Sequence, residues 1–346
     1  MAICALFCID HVLTMFDISV PVLAWIPHGN GLEFSYVIGD LFLFPTDPVL
    51  TSHAVAYRNR SFIADLILPR KPVGKREFKY NSIAKGTYLT IPDTKVGKKS
   101  EPNQVEMGFT QVDSSCEDYG LDDLVPQDDI DNAPPGYDPK AHAAEYIMDC
   151  VELDREKRVA DTVFNADNFA SGNKATLSGT SQFSSSSSTP IATIQDAIDA
   201  CFYRPNYAVM GRAVMTALSR HASIVSAVNA SGSQSGIARR RQIAELFELE
   251  DIFVGESFYN TAKPGQTAVV TRLWGKSLLL FYQNPMADNM RGATFGFTAQ
   301  FGSRIAGTIP EPKKGLRGSH LVRAGESVKE IIMATDLGYL FSDAVA

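Results

Sequence analysis

The sequence predicts an α+β protein that reaches beyond its own core, and three features predict it. Two runs of alternating polarity flank a basic, turn-rich stretch, which reads as a long β-hairpin. A long, charged helical segment follows. Short helices and apolar strands then succeed one another with no regular β-α repeat and no internal sequence repeat.

Taken in order, residues 1 to about 60 hold Pro21, Pro27, Gly29, Gly31, Pro45 and Pro48 among short apolar runs, the pattern of an extended arm. Trp25, Phe34, Tyr36, Phe42 and Phe44 on such an arm need a cover, and a neighbouring subunit can supply one. Met1–Ile9 is apolar but lacks a basic flank and is stopped by Asp10 and His11, which argues against a signal peptide or membrane span. Met15 is an alternative start.

From Arg76, Phe78 and Tyr80 alternate with Glu77 and Lys79; Val105, Met107 and Phe109 alternate with Glu106, Gly108 and Thr110. The stretch between them contains Pro92, Lys95, Lys98, Lys99 and Pro102, giving the hairpin a basic tip. A two-stranded ribbon is marginal alone in water, so this one is expected to dock on another chain. Asp138 and Pro139 are an N-cap and a first helical residue, opening a helix to about Asn165, roughly 40 Å at ~1.5 Å per residue. Its middle carries Glu152, Asp154, Arg155, Glu156, Lys157, Arg158 and Asp161, which reads as a solvated surface strut with Asp154–Arg158 and Glu152–Arg155 pairs.

Gly172, Gly179 and Ser184–Ser188 read as a flexible break. After Thr189–Pro190 come a helix at Ile191–Tyr203, a strand at Asn206–Met210, helices at Arg212–Val228 and Ile237–Leu249, and a strand at Ile252–Val254. Strands are further expected at Val269–Trp274, Leu278–Tyr282, Thr294–Phe301, Val328–Thr335 and Tyr339–Phe341.

A formal charge of -7 argues against a dedicated nucleic-acid binder but suits a protein that merely encloses DNA. Cys4, Cys8, Cys116, Cys150 and Cys201 form no Cys-x-x-Cys pair and read as reduced thiols. The scattered histidines offer no zinc spacing, and no motif calls for a metal or cofactor. Trp274-Gly275-Lys276-Ser277 ends like a phosphate loop, but Val270 stands where that motif needs glycine, so a turn between strands is expected. Gly232-Ser233-Gln234-Ser235-Gly236 has glutamine at the nucleophile position. His142 and Glu145 make at most a surface pair.

Charge distribution says more. Arg70 to Lys99 is strongly basic, and the segment from Asp113 to Asp131 is strongly acidic, with Asp122, Asp123, Asp128 and Asp129 among its carboxylates. Either the two pair within one chain, or Lys95, Lys98 and Lys99 reach the acidic surface of a neighbour. Arg239, Arg240 and Arg241 either contact packaged DNA or open a solvated helix beside Glu245 and Glu248.

Phe62-Ile63-Ala64-Asp65, Leu68-Pro69, Phe78-Lys79-Tyr80, Glu117–Leu121, Arg155–Ala160, Pro205-Asn206-Tyr207, Leu218–His221, Ala244–Phe247, Tyr259–Ala262 and Trp274-Gly275-Lys276 occur in an order that resembles major capsid proteins of tailed bacteriophages with the Hong Kong 97 fold. The resemblance runs from about residue 60 to the C-terminus. It implies an arm (1–60), an extended loop and its base (61–118), and a peripheral domain (119–206) with a spine helix (138–165) and a serine-rich insertion (180–188). An axial domain (207–290) and return strands (291–346) complete it. It implies a non-enzymatic subunit that self-assembles as pentamers and hexamers around double-stranded DNA in the host cytoplasm, with scaffolding, portal and decoration proteins as partners and no membrane. Two alternatives stand beside it: an encapsulin-like compartment shell, and a soluble homo-oligomeric enzyme using residues 113–131.

Overall fold

A computed structural model describes residues 44–56, 61–82, 91, 93–104, 110–229, 236–263, 265–287 and 292–346. The elements in chain order are α1 (Pro48–Ala56), α2 (Ala64–Ile67), β1 (Arg70–Val73), β2 (Glu77–Ser82), β3 (Thr110–Ser115), β4 (Glu117–Pro126), α3 (Gln127–Asp131) and α4 (Pro139–Val163). They continue with β5 (Lys174–Thr176), α5 (Pro190–Ala200), β6 (Tyr207–Gly211), α6 (Arg212–Arg220), α7 (Ala222–Val228), α8 (Arg240–Leu246), β7 (Asp251–Gly255), β8 (Phe258–Asn260) and β9 (Val270–Arg272). β10 (Leu278–Phe281), β11 (Gly296–Glu311), β12 (Ser319–Ile332) and β13 (Gly338–Ser342) close the chain.

Two sheets organise residues 46–346. One has the order β1-β11-β12-β4, with β1 parallel to β11 and the other neighbours antiparallel. The other has the order β5-β13-β10-β6-β7, parallel at both edges. β10 at its centre reads Leu278-Leu279-Leu280-Phe281, every residue buried, because it is covered on both faces. Its two faces feed different cores: Leu278 and Leu280 pack with Phe183, Leu218 and Phe341, whereas Leu279 and Phe281 pack with Trp274, Phe295 and Val159.

Helix α4 begins as the sequence expects, with the Lys140 N–H donating to the Asp138 side chain and Pro139 in the first turn. Its apolar stripe, Ala144, Ile147, Met148 and Val151, lies on Val322 and Ala324 of β12. The charged middle departs from expectation: Glu152, Arg155 and Glu156 are 7%, 3% and 0% exposed. The Glu152–Arg155 pair does not form, because each side chain turns to partners far away in sequence. The Asp154–Arg158 pair does form, joined by Lys157–Asp161.

The end of the expected extended arm is helical. The Val49 N–H donates to Asp47 Oδ1 at 2.8 Å and Pro48 occupies the first turn, so α1 repeats the Asp-Pro start of α4. Residues 1–43, with the other arm aromatics, lie outside the described residues. So do Val105, Met107 and Phe109; the strand that pairs with β2 is β3, from Glu77↔Ser115 to Ser82↔Thr110.

The serine-rich segment is built into the core, not a flexible break. Phe183 is 1% exposed and its ring meets Phe341, while its N–H donates to the Ala344 carbonyl. Buried His221 sits within 3.2 Å of both Ser188 Oγ and the Ser185 carbonyl. His221 also divides the helix expected at 212–228, closing α6 and capping α7 through the Ser223 N–H. The strands expected at 294–301 and 328–335 are parts of much longer ones, β11 and β12.

Candidate assembly surfaces and the charged core behind them

The buried charges of α4 form one network that joins α1, α2, β1, β11 and β12. Glu326 on β12 accepts from Arg70 Nη1 at 2.5 Å and from Arg304 Nε at 3.1 Å. Arg304 also donates to Glu152 at 2.5 Å and to the Ala54 carbonyl of α1. Arg155 donates to Asp65 at 2.7 Å and to Thr298 at 3.1 Å, and Arg70 completes the ring at Asp65. Burial pushes the Asp65 and Glu326 carboxyls up, but the adjacent guanidiniums outweigh it and hold both below their ordinary values. Charges can be buried this way because each has an opposite partner, although Arg155 Nε is left without a hydrogen bond, 3.9 Å from Glu330.

Glu156 stands next to this network but answers a different need. Its carboxylate receives the Ile63 and Ala64 N–H groups at the start of α2 and the Trp274 indole N–H at 2.6 Å. Burial raises its pKa, against those three donors. The Trp274–Ser277 motif is the turn expected between β9 and β10, with Gly275 at φ +55. Trp274 itself is fully buried against Phe164. The network's membership had a partial sequence signal, the Arg155–Ala160 motif; the roles of Glu326 and Arg304, 22 residues apart on antiparallel strands, had none.

On the surface, Lys95, Lys98 and Lys99 are exposed and make no ion pair among the described residues. The acidic segment is not an open field of charge. It forms the edge strand β4 and α3, and most of its carboxylates meet cations of the same chain: Glu117 with Lys329, Asp118 with Arg76, Asp122 with Arg323, and Asp128 with Arg317. Hydrogen bonds from Lys329 and Arg323 lower the pKa values of Glu117 and Asp122, opposite to the rise a general acid needs. Asp122 and Asp128 thus pair within the chain, but with Arg323 and Arg317 from outside the basic segment; between the two segments themselves, Arg76 meets Asp118 and Lys79 meets Asp113. Asp123 and Asp129 instead border a groove of about 490 Å³, with Leu124, Tyr137 and Tyr146 in its walls.

Arg240 lies 3.6 Å from Asp251 and Arg241 3.0 Å from Glu245, while the Arg239 backbone N–H is capped by Gln242 at the start of α8. These arginines open an exposed helix, and two of the three have acidic neighbours. His142 and Glu145 do not meet: His142 packs on Tyr137, and Glu145 pairs with His53. Residues 232–235 of the serine-glycine motif lie outside the described residues. Among the described residues, no group of three or more His, Cys, Asp or Glu is placed to hold a metal ion. No helix there is long and apolar enough to cross a membrane.

No protein-family model matches the chain. It is 49% identical over 303 residues to the major capsid protein of Pseudomonas phage JBD67, a match covering 88% of this chain and 98% of that one. Among solved structures it resembles a phage-related protein from Bordetella bronchiseptica RB50, with a TM-score of 0.69 at 21% identity over 87% of this chain and 98% of the other. It also resembles the capsid of a native GTA particle, with a TM-score of 0.51 at 11% identity over 83% and 91% of the two chains.

Proposed function

Because the chain belongs to the major capsid proteins of tailed phages and has their Hong Kong 97 type fold, we propose that it closes, as pentamers and hexamers, into an icosahedral shell around packaged double-stranded DNA. The observation that carries this reading is the near full-length match to a phage major capsid protein at 49% identity. The exposed β2–β3 ribbon supports it: its strands bury little besides Asn81 within their own chain, although Phe78 and Tyr80 anchor the base.

In this reading the four-stranded sheet and α4 are the peripheral domain, and the five-stranded sheet with α5–α8 is the axial domain. The hairpin lysines Lys95, Lys98 and Lys99 contact an acidic surface of a neighbouring subunit. Of the four aspartates first considered for that surface, Asp122 and Asp128 are held within the chain, and Asp123 and Asp129 make no ion pair among the described residues. Arg239, Arg240 and Arg241 contribute at most a diffuse attraction to DNA phosphates. The subunit is a structural component of the virion, assembled in the host cytoplasm with scaffolding and portal proteins and, where the surface takes them, decoration proteins. The phage relative at 49% identity weighs against a compartment shell, and the cation-bound acids of β4 weigh against an enzyme.

Electron microscopy of the large-particle fraction, from cells expressing the chain with a scaffolding protein, tests the reading. Closed shells are expected. Only small discrete oligomers under every assembly condition would overturn it.

A further inference from the structure

Between Asp199 and Asp288 the chain carries nine lysines and arginines against five acids, although its whole formal charge is -7. All five acids are answered within this segment: Glu245 by Arg241, Glu248 by Arg204, Asp251 by Arg240, Glu256 by Arg212, and Glu250 by the Tyr207 hydroxyl. Arg220, Arg239, Lys263, Arg272 and Lys276 remain, all exposed and without an ion pair among the described residues. What the segment offers a partner is therefore surplus positive charge.

Two of these five cations stand on the β8–β9 ribbon, which turns donors outward. The Arg272 guanidinium lies 4.5 Å from the centre of the Phe258 ring, and a guanidinium laid over an aromatic face keeps its in-plane N–H groups for an anion. Asn260 spends its side-chain oxygen on the Ala262 and Val269 N–H groups, which leaves its amide N–H groups without a partner among the described residues. The turn beyond presents Lys263, Gln266 and Thr267, all exposed, around Gly265 at φ +85. Tyr259 and Leu273 anchor the ribbon in the core, so these donors stand on a fixed base. Lys157 also faces the ribbon, 5.7 Å over the Tyr259 ring, but Asp161 of α4 answers it.

Duplex DNA has the matching chemistry. It carries one phosphate charge per ~1.7 Å of helix axis, and arginine, lysine, amide and hydroxyl donors are the groups that hold its backbone. A second protein is the rival occupant, because Val269 and Val270 are exposed beside the cations. Charge decides for DNA: complementary protein surfaces set both signs against each other, whereas the ribbon has no acid and offers one sign only.

We propose that the β8–β9 ribbon faces the interior of the shell, where Lys263 and Arg272, with the Asn260 amide, hold phosphates of the enclosed DNA without regard to base sequence. This rests on the shell reading for its setting, while the binding itself is tested on unassembled subunits. Arg239 adds only the diffuse attraction already assigned to it.

Fluorescence anisotropy of the unassembled subunit with a short DNA duplex, over a salt series, reads the contact. The double variant Lys263→Gln, Arg272→Gln should weaken binding equally for duplexes of unrelated sequence and flatten the slope of log affinity against log salt by about 2. The pair Lys98→Gln, Lys99→Gln should leave that slope unchanged. An unchanged slope in the ribbon variant, or an equal loss in both, would overturn the proposal. Position is read with Thr267→Cys and a bulky maleimide that cannot enter a closed shell, counted above the parent chain's own thiols. Protection in intact shells and reaction after their disruption are expected. Reaction in intact shells would set the ribbon outside and overturn the proposal, and protection that persists in separated pentamers and hexamers would overturn it by giving the ribbon to a protein contact. If no shells form while the salt slope responds as expected, the shell reading falls and the DNA contact stands.

Discussion

Trp274 donates its indole N–H to Glu156 at 2.6 Å, joining two residues 118 positions apart in a site where neither side chain is exposed. The same carboxylate holds the first turn of α2, so one buried acid fixes the spine helix, the short helix after the arm and the β9–β10 turn together. Trp274→Phe removes the donor together with part of the ring, so a cavity cost adds to the loss of the hydrogen bond. It should cost at least about 1–3 kcal/mol, the usual penalty for leaving a buried polar group unpaired, read as a lower urea midpoint with an unchanged slope.

Close packing around that tryptophan makes a second test. A Cβ added at Gly255 would stand 2.0 Å from the Trp274 ring, and a fully buried ring has no room to yield. Gly255→Ala should destabilise by about 1–3 kcal/mol, as overpacking does, whereas alanine at Gly172, which meets nothing within 4 Å, should not. Paired thermal melts of the two variants separate these outcomes.

Glu326 neutralises Arg70 and Arg304 at once. Glu326→Gln leaves those buried guanidiniums without their common partner and should cost about 3–5 kcal/mol, measured by chemical denaturation of the unassembled subunit. A loss below 1 kcal/mol (about the worth of a surface pair) would show that the network is solvated.

The same groups set an acid dependence. The folded pKa values of Asp65 and Glu326 lie below the ordinary 3.8 and 4.5, so their stabilisation is complete above those values and is lost as pH falls through the folded ones. Glu156 runs the other way: its folded pKa is raised, so stability declines as pH rises from 4.5 through the folded value. Urea midpoints between about pH 3 and 7 should fall on the acid side, less steeply in Glu326→Gln, and Glu156→Gln should remove the decline above 4.5.

Reversing Lys95, Lys98 and Lys99 to glutamate should impair assembly while leaving the far-ultraviolet circular dichroism and melting of the subunit unchanged, since all three side chains are exposed and unpaired among the described residues. Shells of normal yield and stability from the triple variant would refute the role of the hairpin tip in lattice contacts.

What the sequence determined by itself was local. Asp138–Pro139 marks the start of α4 because a cap and a fixed φ act within one turn, and the apolar run 278–281 marks a strand buried on both faces. The same Asp-Pro signal at 47–48 foretells α1 but is masked by the surrounding prolines and glycines of an arm. Tertiary structure alone decided the fate of the charges in α4. Glu152, Arg155 and Glu156 have the spacing of a solvated helix face, and they are buried because Arg304, Asp65 and Trp274 reach them from distant elements. The serine run likewise looks flexible in sequence, yet Phe183 and His221 fix it through contacts with residues far along the chain. Caps and periodicity are written in neighbouring residues; neutralising a buried charge depends on partners that only the folded chain brings near.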